Sequence, residues 1–513
     1  MSAPGIPTAD AARERLAAIV AAARAQARRT KRPVLVSVTE PAPALDLVTA
    51  LERAAVPDYA APERTPSERF YWERPDEGFA IVGVGAAVTL APTGEGRFAT
   101  ADRAWRALLA MAMTQDASGG APGTGPTLVG GFAFDPEGPR TDRWLGFPAS
   151  LLLLPQLQLT AGGGAHWLTT NVFVRADGTP DIDPTVLGRQ RAILLGQHPA
   201  PPAVVLATGS GEATTATEIP DAATWQAAVG DAAAAVRAGW LEKVVLAREL
   251  RARADRPFDV AAALRRLRAA YPSCHVFAVW RGARVFLGAS PERLVRLEGR
   301  EVEAACLAGS IARGASPAED RAQGERLLAS AKDRAEHEVV ARALREGLAA
   351  LCEDVRGPAE PALLTVHNVH HLHTPLSARL GEGRTILDLV ARLHPTPAVG
   401  GAPRDAALAF LRAHEPLDRG WYAGPVGWVG RDGGGEFAVA LRSALVRGAD
   451  ASLFAGCGVM GDSDPAAEYA ESVLKLRPMR LALALDAEPV AGLAPDVAEA
   501  VSEAESVSPG ASR

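Results

Sequence analysis

Residues 453–475 of this 513-residue chain run Leu-Phe-Ala-Gly-Cys-Gly-Val-Met-Gly-Asp-Ser-Asp-Pro-Ala-Ala-Glu-Tyr-Ala-Glu-Ser-Val-Leu-Lys. The order predicts a strand, a glycine loop and a helix. Gly456, Gly458 and Gly461 remove side chains, so backbone can approach something small. Asp464 suits an N-cap and Pro465 the first helical position. At about 100° per residue, Glu468, Glu471, Ser472 and Lys475 fall within one arc. A helix start, three glycines and a Glu/Glu/Lys face suit an anion and a divalent cation. The competing reading is a glycine-rich turn with a solvated face and an i,i+4 Glu471–Lys475 pair.

Composition narrows the class. Apolar content of 48% and charged content of 22% are those of a soluble globular chain. With 54 basic and 60 acidic residues the net charge is −6, which argues against a nucleic-acid partner or a basic membrane surface. No apolar run approaches a membrane span of about 20 residues. The Ala/Arg-rich N-terminus lacks the apolar core of a secretory signal. Cys274, Cys306, Cys352 and Cys457 form no CxxC pair and read as reduced thiols of a cytoplasmic protein.

The first half, 1–218, predicts an α/β half of one compact fold: a helix over 10–29, strands at 33–39, 70–73 and 79–85, and a helix over 103–113. A loop over 115–126 precedes strands at 128–134, 151–158 and 166–175. Residues 177–220 are rich in Pro, Ala and Gly and predict a long surface crossing. The region 219–485 carries the chemically interesting residues. The tail 486–513 is Ala, Pro, Ser and Glu, a disordered composition.

Within 219–485, a helix over 221–239 leads to a buried strand over 242–250. Lys243 opens that strand. Burial there strips water from an ammonium, unless the stem only snorkels at the strand end. A strand from 285 is broken by Gly288 and Pro291, and Glu292 follows. Glu292 is then a carboxyl held at a strand break, or a partner for Arg293 or Arg296. A helix is expected over 327–354, with Asp333, Glu336 and Val340 on one face. His367, His370, His371 and His373 crowd one strand without a Cys or carboxylate at ligand spacing, so they do not read as a zinc site. A meander of strands is expected at 424–430, 436–446 and 451–459. Arg442 alternates there with Ala438, Ala440 and Ala444, above a shallow floor with room for a carboxylate. Pairing to Glu436 or another acid is the alternative.

Taken together, Lys243-Val-Val-Leu-Ala-Arg248, Gly288-Ala-Ser-Pro-Glu292, Leu307-Ala-Gly-Ser310, Lys332-Asp-Arg-Ala-Glu-His337, His371-Leu-His-Thr-Pro375, Leu393-His-Pro-Thr-Pro-Ala-Val399, Gly420-Trp-Tyr-Ala-Gly-Pro-Val-Gly-Trp428 and the 453–475 stretch resemble the chorismate-utilising enzymes. The resemblance is to their isochorismate synthases, and the 421–428 run leans toward the menaquinone type. It covers about residues 221–480.

The resemblance implies an α+β fold of two large packed antiparallel sheets with outer helices. It also implies magnesium-dependent chemistry on chorismate, a small-molecule substrate, in a monomer or homodimer. Lys243 matches the family's general base and Glu292 its general acid. Glu336 and Glu471 match the Mg2+ ligands, and Glu468 a nearby acid acting through water. Gly309, His371, Ala398, Arg442, Gly456 and Lys475 match positions lining the substrate. Ala398, Val399, Tyr422, Leu441 and Phe454 are expected to shape the pocket. Anthranilate synthases usually carry glutamine where Lys243 stands, whereas salicylate synthases keep the lysine and are the runner-up. A non-catalytic relative would have lost one of the four acid, base and metal positions.

Overall fold

The computed structural model describes residues 6–55, 67–138, 141–198, 213–365 and 369–485. The expected tail therefore lies outside the described residues. Two sheets dominate, one of 13 strands and one of 10. Their pairings are antiparallel except for Val34–Pro41 against Met113–Asp116, which run parallel. Strands from before and after residue 219 stand in both sheets.

The core forms on both faces of the larger sheet. In Glu68–Arg74, Phe70 and Trp72 enter the core that lies between the sheets. The intervening Tyr71 enters a second core with residues of the helices Ala9–Thr30, Leu47–Ala55, Val260–Ala270 and Pro465–Ala482. Successive strand side chains point to opposite faces, so a strand covered on both sides is apolar at consecutive positions.

Among the described strands the chain changes sheet at eight links. Three of the short ones, at 155–156, 440–442 and 291–292, matter most for the site and its surroundings, and two of them depart from the sequence expectation. The single strand expected over 151–158 is two, Ser150–Leu154 in the smaller sheet and Leu157–Gly162 in the larger. Pro155, which has no N–H for a ladder, stands at the break. The strand expected over 436–446 is likewise two, Gly435–Val439 and Ser443–Arg447, in different sheets. Arg442 turns the chain between them at φ +48°, in the left-handed region that a continuous strand cannot use. The third link, Pro291-Glu292, joins Arg284–Ser290 to Arg293–Glu298.

Other boundaries move as well. The helix expected over 103–113 is Arg97–Leu109, and Met113 opens a strand. The helix expected over 327–354 is split at Ser330, which ends Pro317–Ala329 and caps Ala331–Ala349 through Asp333 N. A side chain that bonds the free N–H groups of a new first turn favours a restart over continuation. The expected crossing 177–220 contains the helix Pro184–Leu194 and the strand Ala213–Ile219, and residues 199–212 lie outside the described residues.

Candidate active site

A cleft opens where two of the inter-sheet links meet the start of Lys243–Ala254 and the helices Ala331–Ala349 and Pro465–Ala482. All eleven residues singled out from the sequence line it: Lys243, Glu292, Gly309, Glu336, His371, Ala398, Arg442, Gly456, Glu468, Glu471 and Lys475.

Lys243 reaches the cleft from the first residue of its strand, paired on one side to Ala402. Its side chain is only 1% exposed, and Nζ contacts Glu336 Oε1 at 2.8 Å. Gly458, on the neighbouring strand, makes this pair possible. A Cβ there would stand 2.5 Å from Glu336 Oε1 and 2.7 Å from Lys243 Cε. Gly456 is equally constrained, since its Cβ would lie 2.9 Å from Leu246 O. Gly461 has no such role, because its nearest neighbour is Arg237.

Glu292 sits on the link itself. Its N–H donates to Ser290 Oγ at 3.2 Å, and its carbonyl accepts from Val439 N at 3.0 Å. Burial pushes its carboxyl up to about 7, against the opposing pull of Lys243, Arg442 and Lys475. Such a group is half protonated near neutrality and suits a general acid. Its expected partner Arg293 instead binds Glu436 at 2.7 Å, and Glu436 also binds His275 at 3.0 Å. With Glu436 so engaged, the alternative pairing of Arg442 falls away. The Arg442 guanidinium makes no ion pair or hydrogen bond with any described residue and is available to an anion.

The helix Ala331–Ala349 and the helix Pro465–Ala482 bring further acids to the cleft. Glu468 binds Lys332 Nζ at 3.0 Å and accepts from Ser463 Oγ at 2.8 Å. Glu471 binds Lys475 at 2.7 Å. Burial and then the charge of Glu471 raise the Glu468 carboxyl. Burial also works to raise Glu471, but Lys475, Arg442 and Lys332 outweigh it and hold that carboxyl below its usual range. Asp333 is raised by burial and then by Glu336 and Glu471, against its bond from Ser330. These carboxylates repel one another, and hard oxygen donors with that repulsion fit a divalent cation such as Mg2+. Ligand atoms of Cys457, Glu468 and Glu471 lie within 4.8 Å of one another. Burial pushes the Cys457 thiol up, so it stays protonated, and its Sγ meets Glu468 O at 3.2 Å. The carboxylates are the ligands that suit magnesium. Glu336 lies outside that group of three and is turned onto Lys243.

His371 packs against Ser310 through Nδ1 at 2.7 Å, beside the bulge at Gly309, whose φ is +81°. Burial, with Arg442 and Lys475 nearby, pushes His371 down to about 3, so its ring is neutral. His370 binds Asp320 at 2.8 Å, and His367 lies outside the described residues. His370, His371 and His373 do not join the group of possible metal ligands found among the described residues. Ala398, Val399, Tyr422 and Leu441 line the cleft, whereas Phe454 stands behind Tyr422, its ring stacked at 5.3 Å.

Several lining residues were not singled out from the sequence. Arg419 donates to Val399 O at 2.9 Å and Val245 O at 2.6 Å, and it binds Glu415. It thereby ties the loop carrying Ala398 to the strand carrying Lys243, and nothing in its sequence surroundings marks it. Lys332 and Asp333 line the cleft too. In the sequence Asp333 shares the face of Glu336 without a role of its own, and Lys332 flanks that face.

A family model described as "Chorismate binding enzyme" matches residues 21–484. The chain is 40% identical over 464 residues to the salicylate biosynthesis isochorismate synthase of Pseudomonas aeruginosa, covering 89% of this chain and 92% of that one. It is 34% identical to isochorismate synthase MenF of Bacillus subtilis, covering 89% and 95%. Among solved structures it resembles MenF, the menaquinone-specific isochorismate synthase of Escherichia coli, with a TM-score of 0.71 and 26% identity over 90% of this chain and 99% of that one.

Proposed function

We propose, from the premise that this chain belongs to the chorismate-binding enzyme family, that it is an isochorismate synthase. It adds water to the ring carbon beside the ring carboxylate of chorismate and expels the ring hydroxyl from across the diene. The observation that carries the reading is the convergence of a buried lysine, a carboxyl raised to about 7 and an unpaired arginine on one cleft.

Neutral water is a weak nucleophile and hydroxide a poor leaving group, so the reaction needs a base and an acid. Lys243 takes the proton of the attacking water without adding negative charge beside a dianionic substrate. Glu292, protonated below about pH 7, gives its proton to the departing hydroxyl. Arg442 and Lys475 receive the enolpyruvyl carboxylate. Glu336 and Glu471 would hold Mg2+, with Glu468 acting through water. The ion, when bound, screens and orients the ring carboxylate.

The relatives' names agree on the reaction and differ on its use. Menaquinone supply rests on the likeness to the Bacillus subtilis and Escherichia coli proteins, whereas the Pseudomonas aeruginosa name points to salicylate biosynthesis. The four cysteines are free, in keeping with a cytoplasmic enzyme, and no described helix is long and apolar enough to cross a membrane.

Purified protein given chorismate and Mg2+ is expected to form isochorismate, resolved by liquid chromatography. EDTA should abolish the conversion and excess Mg2+ restore it. Turnover that persists in EDTA would remove the metal from the account, and absence of isochorismate would remove the function.

A further inference from the structure

Of the four glutamates that line the cleft, all but Glu292 have a lysine of their own. Glu336 holds Lys243 at 2.8 Å, Glu468 holds Lys332 at 3.0 Å and Glu471 holds Lys475 at 2.7 Å. Three carboxylates and three ammonium groups therefore cancel in charge. Two of the pairs reach across elements, from strand to helix and from helix to helix, so they belong to the fold's assembly and not to one helix face. Lys243 and Lys475 also have duties toward substrate in the proposed reaction. Lys332 has none there, and its side chain is 37% exposed.

We infer that these lysines, Lys332 in particular, are stand-ins for the divalent cation: they neutralise the carboxylates until the metal takes their place. The metal and the lysines then compete for the same oxygens, and the free energy of breaking the pairs is subtracted from metal affinity. Lys332 is a positioning residue in this scheme, because it acts on the metal site through Glu468. The same exchange frees Lys243 and Lys475 from their glutamates, and Lys243, once freed, gives its own proton to solvent before it serves as the base. The inference rests on the proposed magnesium site.

The test is Mg2+ binding followed by titration calorimetry on the full-length protein without substrate, for wild type, Lys332→Met and Lys332→Arg. Removing a single charge near a doubly charged ion is expected to tighten binding on the order of tenfold after screening. Lys332→Arg, which keeps the charge, should bind as wild type does. A structural role for Lys332 would not tighten binding. Equal or weaker Mg2+ binding by Lys332→Met, with wild type binding measurably, overturns the inference and leaves the metal site standing. Failure of all three proteins to bind Mg2+ overturns the metal site and the inference with it.

Discussion

Both sheets contain strands from before and after residue 219, but the two halves differ in what they present to the cleft. Every residue lining it comes from Lys243 onward. The first half acts one layer back. Phe134 O accepts from His394 Nε2 at 2.9 Å, Pro148 O accepts from Trp421 Nε1 at 2.8 Å, and Asp135 binds Arg412 at 2.7 Å. These contacts brace the segments that carry Ala398 and Tyr422. The difference teaches that one half braces the cleft by packing and the other lines it. Substitutions in the two halves should therefore fail in different ways.

The largest separation is expected at the acid and base. Lys243→Ala and Glu292→Gln should each lose on the order of 10²–10⁴ in turnover while circular dichroism and Tm show a folded protein. The wild-type rate should also fall as pH rises through about 7, because Glu292 donates only when protonated and its carboxyl sits at about 7. That limb should be missing from Glu292→Gln. A folded variant with near-normal turnover would break the assignment.

The opposite behaviour is expected of Trp105. It is fully buried in the helix Arg97–Leu109 and donates through Nε1 to Gly430 O at 3.1 Å. Trp105→Ala should cost about 3–5 kcal/mol of stability, read from denaturant unfolding, and leave turnover per folded molecule unchanged. A turnover loss exceeding the unfolded fraction would show that the first half shapes the chemistry directly.

A smaller effect on activity is expected of Gly458→Ala. Its methyl would intrude on the Lys243–Glu336 pair, and displacing a positioned group by an ångström costs on the order of 10²-fold or less. Unchanged kcat and KM would mean that the pair can move aside freely.

The same contrast explains what the sequence made legible. The helix starts at Asp221 and Asp464 announce themselves through capping side chains, and the paired strands Glu68–Arg74 and Phe79–Val84 through their aromatic and β-branched runs. Strand periodicity does not say which sheet a strand joins. Periodicity therefore runs 151–158 and 436–446 through as continuous strands and puts Arg442 on a strand face, whereas it stands at a left-handed turn. The eleven candidate residues follow from the resemblance to the chorismate-utilising enzymes, which rests on the joint order and spacing of several short motifs and on no single one. Lys332 and Arg419 carry no such signal, because a charged residue on a helix or in a loop looks solvated until its partners are known. Gly458 stood in the glycine loop in plain view, but only its distance to Lys243 and Glu336 separates it from Gly461.

The central claim is that the cleft exchanges one ring hydroxyl for another and stops there. The direct measurement starts reactions separately from chorismate and from isochorismate, with Mg2+ present, and follows both compounds together with pyruvate through coupled lactate dehydrogenase. The account predicts the same final ratio of the two compounds from either side, because the exchange has little net driving force, with no stoichiometric pyruvate. Pyruvate released in step with chorismate consumed, together with fluorescent salicylate, would contradict it and make this protein a salicylate synthase.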